Sequence, residues 1–217
     1  MTRSNDQKRP IQFTRFEDHL VGKEGKILLA AFQCVAEAGI AATSTRAIAA
    51  KAGLNQGIIH YYFKSKDELL TRVLEIIFHN STSNIEAVGA SQLSPVEKLR
   101  FILEAGVSLI GPRRDEFVVF VAFWAHSIAV GGKMLDLYRE LFRRFRAAVK
   151  KAVEEGERSG VFRTGLSEET ALLIVGAIEG LGIQYVIDPE QFKPDKAVSL
   201  LRAFLEDILA ERHTSPR

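Results

Sequence analysis

The sequence predicts an all-α protein with a small N-terminal helical domain followed by a larger helical one. Three observations carry that reading. Apolar residues recur at spacings of three and four along most of the chain, no strand signal interrupts them, and the short, capped segments of the first third give way to long apolar ones. A chain of 217 residues is long enough to bury a sizeable core in two unequal parts.

Residues 1–22 are polar with scattered aromatics and read as a flexible N-terminal extension, either a free arm or a loosely docked one. From Lys23 onward, Ile27, Leu28, Ala31, Phe32 and Val35 form a helical stripe, and Gly39 supplies its stop. The stretch "TSTRAIAAKAG" offers Thr43 or Ser44 as an N-cap and Gly53 as the end of a second helix of about two turns. "LNQGIIHYYF" is a third short segment. Ser65 and Glu68 then form a capping box that opens a longer helix through Leu69, Val73, Ile76 and Ile77.

A second capping box, Ser94 with Glu97 around Pro95, opens another helix, which Gly111-Pro112 breaks. Met134, Leu135, Tyr138, Leu141, Phe142, Phe145, Val149 and Ala152 make a long stripe that ends near Gly160. Residues 169–187 are apolar nearly all round, which a helix tolerates only when most of its sides are covered. The last helix bears Val198, Leu201, Phe204, Leu205, Ile208 and Leu209 on one face. These two terminal helices read as half of a bundle completed by a second subunit. The expected organisation is an extension at 1–22, a small domain at 23–70 with a connecting helix from about 66, and a larger domain at 71–212.

A formal charge of +2 is too small for the whole surface to select a polyanion, so any nucleic-acid signal must be local. The single cysteine, Cys34, forms no internal disulfide, and the N-terminus shows no signal-peptide core, so a soluble cytoplasmic protein is expected. The densest apolar run, Phe117 to Ala125, is far shorter than the roughly 20 residues of a membrane span. His19, His60, His79, His126 and His213 lack paired metal-ligand spacing, and "GGK" at 131–133 lacks the rest of a phosphate loop. No catalytic constellation is visible, and neither an enzyme nor a cofactor is expected.

Residues 43–66 carry the chemistry. A helix-turn-helix needs a small residue where its helices touch, a glycine in the turn and a branched apolar residue on the second helix; Ala49, Gly53 and Ile59 stand at those places. Thr45, Arg46, Asn55, Gln56, Gly57, His60 and Tyr61 are left to face outward. Between Glu37 and Asp67 there is no acid, while Arg46, Lys51, Lys64 and Lys66 all fall there, as a phosphate-facing surface requires. Tyr61 and Tyr62 have hydroxyls for phosphate, Phe63 anchors inward, and Lys66 opens the fourth helix, where the dipole already favours a phosphate oxygen.

The stretch "TSTRAIAAKAGLNQGIIHYYFKSKDELL" resembles the DNA-binding signature of TetR-family transcriptional regulators. "FVAFWAHS" and "AIEGLGIQYVIDPE" are similar to the C-terminal domain of the BetI-like branch of that family. The resemblance implies a homodimeric, ligand-responsive repressor that binds a palindromic operator in double-stranded DNA, with a C-terminal domain that dimerises through its last two helices and takes up a small-molecule effector. It implies DNA contacts from Thr45, Arg46, Asn55, Gln56, Gly57 and His60, and phosphate contacts from Tyr61, Tyr62 and Lys66. His60 stands where the family often has tyrosine. Phe120, Phe123, Trp124, Tyr138, Glu179 and Tyr185 are candidates to line the effector site, with core packing as the alternative for each. Two rival functions are a small-molecule-binding helical protein with little sequence-specific DNA recognition and a nonspecific DNA-binding protein.

Overall fold

The computed structural model describes residues 15–108, 114–163 and 165–190, together with positions 196, 199–201, 203 and 207. The side chains of residues 80, 107 and 108 fall outside that description. Among the described residues the bounded α-helices are, in order, α1 (Gly22–Ala42), α2 (Thr45–Ala52), α3 (Gln56–Tyr62), α4 (Lys66–Ala90), α5 (Pro95–Ser108), α6 (Arg114–Val130), α7 (Gly132–Arg158) and α8 (Ser167–Ile187). No β-strand occurs among the described residues.

The chain separates into two compact units. One contains the described residues of 15–80 and 114–141, the other those of 81–108 and 142 onward. Both α4 and α7 run from one unit into the other.

In the first unit α1 is the central element, packed by α2 on one side and α6 on another. Ile27, Leu28, Ala31 and Val35 are buried, as their helical spacing predicts. Gly39 adopts φ 76°, a left-handed conformation that ends the regular helix before the turn into α2. Cys34 is buried here, and burial pushes its thiol above the ordinary range despite the charge of Lys51.

The N-terminal extension, expected as a flexible arm or a loosely docked segment through residue 22, packs against the fold from Arg15 onward. Residues Phe16–His19 form a 3-10 turn, the Phe16 ring stacks on Phe32 at 4.7 Å, and its backbone N–H donates to Glu116 at 3.1 Å. Burial of one large ring and satisfaction of one buried N–H by a carboxylate overcome the polar character of the surrounding segment.

Phe78, Phe120 and Tyr138 form an aromatic knot, with ring centres 4.8 to 5.9 Å apart and the Tyr138 hydroxyl donating to the Phe120 carbonyl. Glu75 of α4 accepts from Lys133 at 2.8 Å and Arg72 at 3.2 Å. Burial pushes the Glu75 carboxyl up, but these two donors outweigh it and hold it below the ordinary carboxylate range.

In the second unit Val88, Leu99, Ile102, Val149, Val153, Ile174 and Ile178 form one core. The Ser94–Glu97 box is present in both directions, with Ser94 N–H donating to Glu97 at 2.9 Å and Glu97 N–H to Ser94 at 3.3 Å. Gly106 of α5 has no room for a side chain, since a Cβ there would meet Ile178 of α8 at 2.7 Å.

Among the described residues, α1 and α8 are each long and apolar enough to cross a membrane by length and composition alone. The apolar side of α1 is spent on the helix-turn-helix core. On α8, Leu172, Leu173 and Ile187 remain exposed, so this all-round apolar helix is only partly covered within one chain. The final stripe of Val198, Leu201, Phe204, Leu205, Ile208 and Leu209 lies mostly outside the described residues; of its members only Leu201 is described, and it is helical.

Phe16→Ala is expected to remove about 3 kcal/mol of stability, the ordinary cost of emptying a buried aromatic site. Urea titration followed by circular dichroism measures the loss; an unchanged midpoint would show that the extension is not part of the core.

Candidate nucleic-acid interface

The interface is built on α2 and α3, and the residues that join them are all buried. Ile48, Ala49 and Ile59 are at most 3 % exposed, with Phe63 behind them at 5 %. Ala49 is small enough to let the two helices approach, and Gly53 takes φ 67° and ψ 33° to turn the chain between them.

Each helix start is capped by a short polar side chain. Ser44 accepts from the Ala47 N–H and Asn55 from the Ile58 N–H, both at 3.1 Å. Ser65 does the same for α4, accepting from Glu68 at 3.0 Å, while the Glu68 carboxylate reaches back to the Lys64 N–H at 2.7 Å. Of the two N-cap candidates for α2, Ser44 takes the role. Thr43 is instead buried, and its hydroxyl donates to the Gly39 carbonyl at 2.8 Å.

The outward residues then sort themselves. Arg46, Asn55, Gln56, Gly57 and His60 are exposed, and Thr45 is half-buried. Asn55 spends its amide oxygen on the cap, leaving its NH2 as the outward donor. Gly57 gives that cap room, because a Cβ there would lie 3.3 Å from the Asn55 oxygen. The Gln56 amide donates to the Thr45 hydroxyl at 3.0 Å, linking the first residues of α2 and α3.

Tyr61 is 84 % exposed and Tyr62 36 %, their rings meeting edge to face at 5.2 Å, while Phe63 points inward. So large an exposed aromatic surface beside basic residues has no packing explanation within the unit. Lys66 differs from the rest. Its ammonium, expected to be open to phosphate, donates to the carbonyls of Thr43 at 3.1 Å and Ile40 at 3.4 Å. Lys51 is paired with Glu37 at 2.8 Å.

The six effector-site candidates do not lie together in one unit. Phe120, Phe123, Trp124 and Tyr138 are in the first, Glu179 and Tyr185 in the second. Phe120, Phe123 and Tyr138 are tightly buried core rings. Trp124 keeps partial exposure, and Tyr185 packs against the second core. Two clefts of about 500 and 450 Å³ lie in the first unit along α1 and α4, and none of the six lines either.

Glu179 stands apart chemically. One of its carboxylate oxygens is buried without a hydrogen-bond partner among the described residues, and burial raises its pKa to about 7. The exception that sequence reasoning missed is Thr43, considered there only as a cap. A threonine just after a helix-stopping glycine is the signal for such a buried turn residue.

Comparison with known proteins assigns both regions. Residues 27–73 match the family "Bacterial regulatory proteins, tetR family", and residues 95–210 match "BetI-type transcriptional repressor, C-terminal". The HTH-type transcriptional regulator PksA of Bacillus subtilis is 23% identical over 195 residues, covering 88% of this chain and 93% of that protein. The HTH-type transcriptional regulator BetI of Yersinia pestis (strain Pestoides F) is 25% identical over 190 residues, covering 85% and 91%. A transcriptional regulator from Saccharomonospora viridis, solved in complex with choline, superposes with a TM-score of 0.78 at 27% identity over 87% of this chain and 98% of that one.

Proposed function

Because the chain belongs to the tetR family of bacterial regulatory proteins, with a BetI-type repressor C-terminal region, we propose that it represses transcription by reading a palindromic operator through α2 and α3. It is a DNA-binding transcriptional regulator of the class that acts as a dimer and responds to small molecules. In this reading residues 23–70 hold the DNA and residues 71–212 pair two copies and bind the effector, in the cytoplasm where the operator lies.

The observation that carries the reading is the acid-free outward surface of α2 and α3, set on a buried Ile48–Ala49–Ile59 joint. Gln56 and Gly57, at the exposed start of α3, and His60, exposed in its last turn, approach base edges. Thr45, Arg46 and Asn55 flank them, and Tyr61 and Tyr62 take phosphates. Two recognition helices about 34 Å apart meet successive major grooves, so a two-fold dimer calls for a palindrome. The partner face is assigned to α8, where Leu172, Leu173, Gly176 and Ile187 are exposed on one side, with the last helix beside it.

For the effector, the buried carboxylate of Glu179 supports a small organic cation. The S. viridis relative is in complex with choline, and a quaternary ammonium suits a carboxylate with one desolvated oxygen to which no described residue donates. Such a ligand relieves repression if it favours a dimer whose recognition helices are wrongly spaced. A tenfold loss of DNA affinity needs about 1.4 kcal/mol of differential binding.

Selection from a random duplex pool, followed by competition with unrelated duplex, tests the DNA reading: a palindrome is expected to win by at least about a thousandfold. Equal binding would make this a nonspecific DNA-binding protein, and no binding a small-molecule receptor. Gln56→Ala is expected to relax base preference, whereas Arg46→Ala should weaken all duplexes and flatten the salt slope by about 0.9.

Choline affinity, measured by titration calorimetry, is expected to rise about tenfold between pH 6 and 8 as Glu179 ionises, and to be weak and flat in Glu179→Gln. The linkage has a second sign. A carboxyl whose folded pKa is raised to about 7 destabilises the fold progressively as pH climbs from its unfolded value to that point. Glu179→Gln should therefore be more stable above pH 7, by on the order of 3 kcal/mol. A pH-independent affinity shared by both proteins would remove Glu179 from the effector site.

A further inference from the structure

We infer that Lys66 is a positioning residue for sequence recognition, tying α4 to the end of α1 and fixing the base-reading Gln56 through Thr43 and Thr45, in place of a phosphate contact. The inference rests on the proposed role of Gln56 and on a continuous set of contacts within one unit.

The regular helix of α1 stops at Gly39, and the carbonyls that follow leave the helical ladder: that of Ile40 keeps one long turn bond from the Thr43 N–H at 3.3 Å, and that of Thr43 is left to other donors. Lys66, the first residue of α4, fills that place: its ammonium donates to the Thr43 carbonyl at 3.1 Å and the Ile40 carbonyl at 3.4 Å. A cation at this end also meets the negative pole of the α1 dipole.

Thr43 is thereby held from three sides. Its carbonyl accepts from Lys66, its N–H donates to Ile40 at 3.3 Å and its hydroxyl to Gly39 at 2.8 Å. At 2 % exposure it has no solvent to replace a lost partner. The next residue, Ser44, caps α2, and the one after it, Thr45, accepts from the Gln56 amide at 3.0 Å. Gln56 is the first residue of α3. An uninterrupted path therefore runs from the first turn of α4 to the first turn of the recognition helix.

Two of the three ammonium protons of Lys66 are committed to carbonyls in a half-buried setting. Turning the side chain out to a phosphate would leave the carbonyl of buried Thr43 unpaired, a cost that a screened surface ion contact does not repay. Because α4 continues to Ala90, a displacement of its first turn would move the Lys66 anchor and change how Gln56 meets a base.

The experiment uses a duplex selected by the full-length protein from a random pool. Kd is measured against salt concentration for wild type, Lys66→Met, Gln56→Ala and the double variant, on the selected duplex, on single-base variants of it and on random duplex. Lys66→Met is expected to weaken the selected duplex about tenfold with an unchanged salt slope, and to lose discrimination at the same base pairs as Gln56→Ala. The double variant should discriminate no worse than either single one.

A salt slope reduced by about 0.9, with selected and random duplex weakened alike, would make Lys66 a phosphate ligand and overturn the inference. Thr45→Val covers the case in which Lys66→Met fails to fold. It deletes the acceptor of the Gln56 amide, along with any contact of the Thr45 hydroxyl to DNA, and must reproduce the loss of discrimination at the base pairs that Gln56→Ala affects; intact discrimination there refutes the path. If Gln56→Ala itself leaves base preference intact, the proposed reading of Gln56 fails, and the salt slope of Lys66→Met still decides between anchor and phosphate ligand.

Discussion

The close approach of α2 and α3 at Ala49 and Ile59 is the constraint on which the DNA surface depends. A larger residue at Ala49 would push α3 away, and an unbranched one at Ile59 would leave a void behind it. With the joint packed, Arg46, Gln56 and His60 are carried on backbone set by that packing although none is itself buried. The surface is precise because the layer beneath it cannot shift. Capping by Ser44 and Asn55 matters for the same reason, since helices of eight and seven residues have little stability of their own.

The opposite situation holds along α8. One side packs into a core through Thr170, Ala171, Ile174, Ile178 and Gly182, while Leu172, Leu173 and Ile187 on the far side stay uncovered. Between these faces sits Glu179, one of whose carboxylate oxygens is buried with no donor among the described residues. In the proposed function both departures from ordinary packing have a use: the uncovered face for pairing copies, and the desolvated carboxylate for a ligand that brings its own positive charge.

The local part of the fold was legible in the sequence. Helix stops at Gly39 and Gly53, the boxes at Ser65 and Ser94, and the inward Phe63 all follow from neighbours a few residues apart. What escaped was contact at long range. The docking of Phe16 depends on Glu116, a hundred positions along the chain, and the engagement of Lys66 depends on carbonyls 23 and 26 residues before it. A lysine at a helix start near other basic residues reads as a phosphate ligand from sequence alone, because the carbonyls it faces lie far back along the chain. Likewise, Phe120, Phe123 and Tyr138 are as plausible in a pocket wall as in a core until their mutual packing is seen.

Cys34, the one thiol in the chain, lies on the buried side of α1 beneath the helix-turn-helix, with burial holding it in the unreactive protonated form. It therefore serves as an internal clock. Alkylating reagents reach it only when α1 breathes away from its neighbours, so the rate at which a thiol probe labels the protein, with or without DNA, reports how often the reading head loosens.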